Sequence, residues 1–95
     1  MTIFEPQKNI TSFSCNDVPA GTTILNLSNC EELKELTGNL PEGLKTLYLE
    51  SCKKLTNLPE LPEGLKFLNL SGCEELKELP KLPSGLKILN LRDCK

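Results

Sequence analysis

A repeat of 21 or 22 residues runs through most of the 95-residue chain and constrains its fold more than any other feature. Four blocks align in phase: residues 18–39, 40–60, 61–81 and 82–95, the last of which is truncated. A glycine and a cysteine recur at matching places, and these are Gly21, Gly43, Gly64, Gly85, Cys30, Cys52, Cys73 and Cys94. Because a single repeat of this length cannot bury its own apolar face, successive repeats stack. The sequence therefore predicts a solenoid.

A short strand is predicted in each block, because apolar and other residues alternate there with a period of two. The predicted strands cover residues 24–27, 46–49, 67–70 and 88–91. Two leucines of each strand share one side, and they are Leu25, Leu27, Leu47, Leu49, Leu68, Leu70, Leu89 and Leu91. Equivalent strands are expected to form a parallel sheet with these leucines facing the interior.

The segments that lead back to the next strand carry two closely spaced prolines in the second and third blocks. Proline removes a helical hydrogen bond and disfavours helix at the preceding residue, so we predict extended or 3-10 backbone. The leucines predicted to face the sheet from these segments are Leu33, Leu36, Leu55, Leu58, Leu76 and Leu79. Positive φ is predicted at the glycine before each strand. In the first block, Thr37-Gly38-Asn39 replaces the first proline and predicts a local bulge.

Residues 1–17 lie outside the full repeat and are predicted to form an N-terminal capping segment. Ile10, Phe13 and Cys15 echo the apolar spacing of the blocks and predict a short strand, with Ile3 and Phe4 covering exposed leucines. Pro6 and the Thr/Ser-rich stretch disfavour a helix here.

The fourth block stops just after its cysteine, without a return segment. We therefore expect Leu86, Leu89 and Leu91 beside an open strand edge, which is a template for further pairing. Two interpretations remain: a frayed end that the fold tolerates, or stacking on a second copy or a partner.

The composition argues against several function classes. Eleven basic and thirteen acidic residues give a net charge of -2, which disfavours binding to nucleic acid or an anionic membrane through bulk charge. There is no histidine, hence no imidazole base and no ligand of the kind zinc most often takes. No apolar run is long enough to span a membrane, and the start of the chain does not read as a classical signal peptide. We predict no enzymatic activity, no cofactor and no metal.

The cysteines predict a reducing, cytoplasmic location. Four of the five occupy the repeated position, and no C-x-x-C pair is present, so buried free thiols are favoured. Cys15 lies outside the ladder and lacks an imidazole to activate it, so we assign it to the core and not to catalysis.

Charges alternate in sign directly after the ladder cysteines: Glu31-Glu32, Lys53-Lys54, Glu74-Glu75 and Lys95. In a stacked solenoid each pair would lie beside the opposite charge of the next turn. We interpret this column as a device that fixes the register and not as a ligand site.

The repeated L-x-x-L-x-L-x-x-C pattern over residues 18–95 resembles the leucine-rich repeat. Its variant, LPxLPxGLxxLxLxxC, is similar to the short repeats of bacterial effector proteins that intracellular pathogens deliver into host cells, and also to plant immune-receptor repeats. The resemblance implies an α/β-type solenoid with a short parallel sheet on its concave face and extended or 3-10 return limbs. Delivery into a host cell without a classical signal peptide is also implied. The larger effectors' helical cap and ubiquitin-ligase domain have no counterpart here, so ligase activity is not carried over.

The residues between the inward leucines are the candidate partner-binding surface, since the core does not use them. They are Ile24, Asn26, Ser28, Thr46, Tyr48, Glu50, Phe67, Asn69, Ser71, Ile88, Asn90 and Arg92. Apolar anchors such as Tyr48 and Phe67 inside a polar rim are typical of a protein-binding patch. The alternative is that β-branched and aromatic residues are there because they favour strands.

Finer roles follow from residue type. The asparagines of this surface are expected to form a polar ladder that bonds a partner's backbone, and Arg92 to clamp a carboxylate. Lys45, Lys66 and Lys87 are expected to form a basic rim that affects the association rate.

The leading functional hypothesis is a protein-binding module that captures one folded protein on its concave face. In the preferred form it regulates or inhibits an enzyme by covering the active site, as ribonuclease-inhibitor-type proteins of the same superfamily do. One alternative is a module that recruits or scaffolds a host protein. Another is a structural unit that self-associates through its C-terminal edge.

Overall fold

The chain forms a parallel β-solenoid of about four turns with almost no helix, in a computed structural model that describes residues 3–7 and 9–92. The strands are β1 (Ile3–Phe4), β2 (Ser12–Ser14), β3 (Ile24–Asn26), β4 (Glu35–Thr37), β5 (Thr46–Tyr48), β6 (Phe67–Asn69) and β7 (Ile88–Asn90). Within the described part, the one helical segment is a 3-10 turn, Cys15–Asp17. None of these residues belongs to a helix with the length and apolar character needed to cross a membrane.

Five strands form one parallel sheet in the order β1-β3-β5-β6-β7. Leu25, Leu47, Leu68 and Leu89 stand in register across β3, β5, β6 and β7, which confirms the predicted alignment of the blocks. Each strand is one residue shorter than predicted. Soon after it, the chain turns through a left-handed residue, Asn29 with φ 66°, Ser51 with φ 61° or Gly72 with φ 78°. That residue bends the backbone directly before the ladder cysteine.

The interior is a column of leucines closed by the return segments. The inward leucines of β3, β5 and β6 and the residues that follow them are fully buried, as predicted, and they are Leu25, Leu27, Leu47, Leu49, Leu68 and Leu70. From the return side, Leu33 and Leu55 are fully buried against them. Each buried leucine contributes about 1.5–3 kcal/mol relative to an exposed one.

The last turn departs from this arrangement. Leu89 and Leu91 are 36% and 39% exposed, and Leu79 on the return side is exposed as well. Leu89 is on the inward side of the sheet in register with Leu68, as predicted, but it stays exposed because no described turn lies beyond β7 to cover it. The expectation of apolar residues beside an open strand edge holds.

The N-terminal segment is extended and carries a short strand within the Ile10–Cys15 stretch, as predicted. β1 and not the Ile10–Cys15 stretch extends the main sheet, whereas β2 pairs with β4 in a second, two-stranded parallel sheet. Pro6 explains why β1 is short. It is in register with Leu27, whose N–H donates to the Tyr48 carbonyl at 2.8 Å where β3 meets β5. Proline has no such donor.

The return segments carry a second hydrogen-bonded ladder. The Lys34 N–H donates to the Thr11 carbonyl at 2.8 Å, and the Lys77 N–H donates to the Thr56 carbonyl at 3.0 Å. Where a bulge was predicted, β4 ends at Thr37 and Gly38 follows with φ 77°. Adjacent turns of the solenoid are thus hydrogen-bonded to each other both in the main sheet and between the return segments.

The predicted positive φ holds at Gly21 alone among the four repeated glycines. At Gly43, Gly64 and Gly85 it is wrong. The Gly21 turn closes with a bond from the Thr22 N–H to the Pro19 carbonyl at 3.2 Å, and the other three close with the same bond, such as Leu44 N–H to the Pro41 carbonyl at 3.2 Å, but without positive φ. A type I turn has this geometry.

Two of these glycines lie close to a lysine of the preceding turn. A Cβ at residue 64 would lie 3.2 Å from Lys45 Nζ, and one at residue 85 would lie 3.1 Å from Lys66 Nζ. Both lysines are exposed and flexible and can shift by a few tenths of an ångström, so these contacts do not by themselves require glycine.

Candidate functional site

The outward-facing side of the five-stranded sheet, called the open face below, carries the predicted binding residues in three rows. They are Ile24, Thr46, Phe67 and Ile88; Asn26, Tyr48, Asn69 and Asn90; and Ser28, Glu50, Ser71 and Arg92. The phase of the alternation is as predicted, because Leu47 and Leu68 are buried while Tyr48 and Phe67 are half-buried. Ser28 is the exception on this face: it is 8% exposed, which leaves a partner little to touch.

Tyr48 and Phe67 form an aromatic pair at the centre of the open face. Their ring centroids are 5.4 Å apart and the rings are inclined by 57°. They stand diagonally on adjacent strands, since Tyr48 is in register with Asn69 and Phe67 with Thr46. A tilted pair at this distance contributes about 0.5–1.5 kcal/mol beyond burial. The two rings therefore contact each other and form an apolar platform.

The asparagines of the middle row have a structural role that the sequence analysis did not assign. The side-chain oxygens of Asn26, Asn69 and Asn90 accept hydrogen bonds from the backbone N–H two residues further on, at 2.9, 3.0 and 3.0 Å. These are Asx turns, and they guide the chain out of each strand. The side-chain oxygens expected to bond a partner's backbone are already used within the chain. Asn26 is committed further, because its Nδ2 donates to Glu5 Oε2 at 3.0 Å.

Tyr48 is the one departure from this row. A tyrosine has no side-chain acceptor at the distance an Asx turn needs, so the second turn lacks the bond made by the other three. A typical intramolecular hydrogen bond contributes about 0.5–1.5 kcal/mol to stability. The fold thus lacks a repeated stabilising contact at the place where the open face carries the half-buried Tyr48 ring.

The charged residues of the open face lie toward the end of the strands. Glu50 and Arg92 are exposed and belong to the same row, on the second and fourth turns. Two of the lysines expected to form a basic rim approach the following repeat. The Nζ atoms of Lys45 and Lys66 lie against the glycine turns at Gly64 and Gly85.

The predicted charge column makes one ion pair within the described residues. Lys54 Nζ lies 2.9 Å from Glu32 Oε1, and both side chains are largely exposed. The hydrogen bond and the positive charge of Lys54 lower the pKa of Glu32 below its ordinary value. The opposite-charge contact expected between adjacent turns is therefore present at this junction. Lys95, the last member of the column, lies outside the described residues.

The described cysteines are buried thiols, as predicted: Cys15, Cys30, Cys52 and Cys73. The Cys52 thiol donates to the Leu27 carbonyl and the Cys73 thiol to the Leu49 carbonyl, each at 3.0 Å. These bonds tie one turn to the preceding turn. Burial raises the pKa of the Cys15 thiol to about 11, so it is protonated at neutral pH and a poor nucleophile. Cys94 lies outside the described residues.

A groove of about 700 Å³ lies where the return segments meet the proline turns, away from the open face. Its apolar floor includes Leu61 and Pro83, and its walls carry Glu42, Glu63 and Lys81. The sequence analysis missed it. The signal available was the column shared by Glu42, Glu63 and Ser84, which stands at one position of successive blocks.

Across residues 3–7 and 9–92, no three or more side chains of Cys, Asp or Glu are placed to hold a metal ion together. The most distinctive arrangement available is the aromatic platform, which suits contact with another molecule's apolar surface. Comparison of the chain with known protein families, with curated proteins and with solved structures finds no match.

Proposed function

We propose that this chain is a protein-binding module of the leucine-rich-repeat type that captures one folded partner on its open face. The observation that carries the proposal is Tyr48. It replaces the asparagine of its row, lacks the Asx turn of the other three turns, and forms the half-buried, outward-facing pair with Phe67 at 5.4 Å. Strand preference alone does not explain this exchange, because asparagine serves the same position in the neighbouring strands.

The surroundings of the pair fit a binding hot spot. Thr46 lies beside Phe67 and Asn69 beside Tyr48, so polar groups surround the rings. Glu50 and Arg92 are exposed nearby and offer charges of both signs. An aromatic anchor with a polar rim is the usual anatomy of an interface in which a few residues carry most of the binding energy.

The preferred consequence of capture is inhibition. A module that contributes only a rigid face acts on an enzyme by covering its active site. The finer parts of the proposal rest on the repeat consensus: an α/β-type classification, a concave binding face, a bacterial-effector-like origin and a reducing cytoplasmic setting. The alternative is recruitment of a host protein through the same face. An activity assay distinguishes it from inhibition.

The test is affinity capture from the native cell with the wild-type chain and the double variant Tyr48→Asn/Phe67→Ile. Both replacements are residues that the same rows already use, so the fold is expected to stand while the aromatic platform is lost. Glu75→Gln, on the exposed ridge behind the sheet, is the matched control. We expect one partner to be captured by the wild-type chain and by Glu75→Gln but not by the double variant. Equal capture by all three would refute the proposed site.

Inhibition and recruitment are then separated by an activity assay. The captured protein is assayed alone and with a saturating amount of the chain. Loss of its activity supports occlusion, whereas an unchanged activity supports recruitment and removes the inhibitory form of the proposal.

A further inference from the structure

The two edges of the main sheet carry the two most exposed large apolar side chains of the described residues. Ile3 in β1 is 55% exposed and Ile88 in β7 is 52% exposed. The register places both in one row, because Ile3 pairs with Ile24 and that row ends at Ile88. One row of the sheet therefore begins and ends with an exposed isoleucine.

We propose that copies of this chain stack head to tail, with β1 of a second copy continuing the parallel sheet beyond β7. In this arrangement Ile3 of the second copy lies beside Ile88, and Phe4 of the second copy takes the register position next to Leu89. The junction between copies then repeats the junction already present between adjacent turns. This inference is independent of the proposed capture of a partner.

The backbone groups at the two edges match. Inside the sheet, the Lys66 carbonyl accepts from the Lys87 and Ile88 N–H groups at 2.9 and 3.1 Å, and the Leu70 N–H donates to the Asn90 carbonyl at 2.8 Å. One repeat further along, the corresponding groups are the Lys87 carbonyl and the Leu91 N–H. In the stack, the Lys87 carbonyl accepts from the Ile3 N–H of the second copy, and the Leu91 N–H donates to the Glu5 carbonyl of the second copy.

The apolar surfaces match as well. The β7 end exposes Leu79, Leu82, Leu89 and Leu91. At the β1 end the core is closed by Phe4 and Phe13, whose ring centroids are 6.1 Å apart, and by the half-buried Ile10. Stacking would cover the leucine end of one copy with the aromatic end of the next, which removes apolar surface from water on both sides.

A polar contact fixes the register of this junction. Asn26 Nδ2 already reaches Glu5 Oε2 across one strand spacing, at 3.0 Å. Asn90 is the last asparagine of that row, and its oxygen is used by the Arg92 N–H, which leaves its Nδ2 as a donor. In the stack, Asn90 stands beside Glu5 of the second copy and can bond its other carboxylate oxygen.

The contact joins two different surfaces and does not close on itself, so it generates open chains of copies. Pairing of β7 with β7 of another copy is a distinct arrangement, since two identical edges related by a two-fold axis run antiparallel. The parallel register of all five strands and the matching of opposite ends favour the head-to-tail form.

The test is sedimentation of the 95-residue chain over a roughly hundredfold concentration range, with the variants Ile3→Glu and Ile88→Glu. We expect the wild-type mass to rise with concentration and each variant alone to remain monomeric. Equimolar Ile3→Glu and Ile88→Glu together are expected to form dimers and nothing larger, because each supplies the end that the other lacks. A monomeric wild type, association unaffected by either variant, or a monomeric mixture would each overturn the proposal.

A milder variant keeps the test valid if a glutamate at an edge disturbs folding. Asn90→Asp retains the acceptor for the Arg92 N–H but places a carboxylate beside Glu5 of the second copy. Association is expected to weaken about tenfold. The matched control, Asn69→Asp, and the open-face variant Tyr48→Asn are expected to leave association unchanged. Equal association of Asn90→Asp and wild type would contradict the assigned register.

Discussion

The middle of the solenoid and its last turn use the same motif but have different interiors. Leu68 in β6 and Leu89 in β7 are aligned in the sheet, yet Leu68 is fully buried and Leu89 is 36% exposed. Nothing in the local sequence distinguishes them, since both stand in an L-x-L strand after a proline turn. The difference is that β6 has a strand on each side while β7 has one.

This comparison shows where the stability of the fold resides. In a solenoid the free energy is approximately a sum of each repeat's own contribution and the contacts with its neighbours. A middle turn has two such contacts and an end turn has one. Identical substitutions should therefore have different costs along the chain.

The largest expected effect comes from shortening the aligned leucines. Leu68→Ala should lower the free energy of unfolding by about 2–5 kcal/mol, because it opens a cavity between two packed turns. Leu89→Ala should cost less than about half as much, since water already reaches that side chain. Urea denaturation of the two variants measures the difference. Equal losses would mean that β7 is covered as fully as β6, which is also what tight head-to-tail stacking would produce at high protein concentration.

A second prediction concerns Cys15 in the capping segment, whose buried thiol makes the stability of the fold depend on pH. Burial raises the pKa of Cys15 from 9.0 to about 11. Because the unfolded chain releases this proton first, the native state is undisturbed below about pH 9 and loses stability between about pH 9 and 11, by about 1–3 kcal/mol.

The control for this prediction is Cys15→Ala, assayed over the same pH range. Its free energy of unfolding should fall less steeply above pH 9 than that of the wild-type chain, since one titrating thiol has been removed. Parallel pH profiles would show that Cys15 does not contribute, whatever the other thiols do.

The sequence predicted the middle of the molecule better than its margins. Burial of Leu47 and exposure of Tyr48 follow from the period and the alternation, which are both local properties repeated in every turn. The pairing of β1 with β3 and of β2 with β4 could not be predicted in that way. Each pairing joins segments that lie more than twenty residues apart in the sequence.

The turns on either side of the strands show which features could be predicted from the sequence and which could not. The asparagine Asx turns had a usable signal, since Asn26, Asn69 and Asn90 stand at the same position of the repeat and are the last residues of β3, β6 and β7. The glycine turns had no such signal, because Gly21 and Gly43 occupy equivalent positions but differ in the sign of φ.

A smaller effect is expected from the asparagine row. Asn69→Ala removes the bond to the Ser71 N–H in a half-buried setting and should cost about 1 kcal/mol. Asn90→Ala removes the equivalent bond at an exposed position, where water replaces the lost acceptor, so the cost should be about half as large or less. Thermal unfolding of the pair tests this ordering, and a larger loss at Asn90 would mean that the edge turn depends on its Asx turn more than the middle does.

The smallest effect concerns the Glu32–Lys54 pair, which links the first and second turns on an exposed ridge. Lys54→Ala should raise the pKa of Glu32 toward its ordinary value, because the hydrogen bond and the positive charge that lower it are both lost. The wild-type pair stabilises the fold above the pKa of the unfolded Glu32, and this contribution disappears as the pH falls through the lowered pKa. NMR titration of the Glu32 carboxyl in both chains measures the change, with Lys53→Ala as the control one residue away. An unchanged Glu32 titration in Lys54→Ala would show that the ion pair does not persist in solution and that leucine packing alone sets the register of the turns.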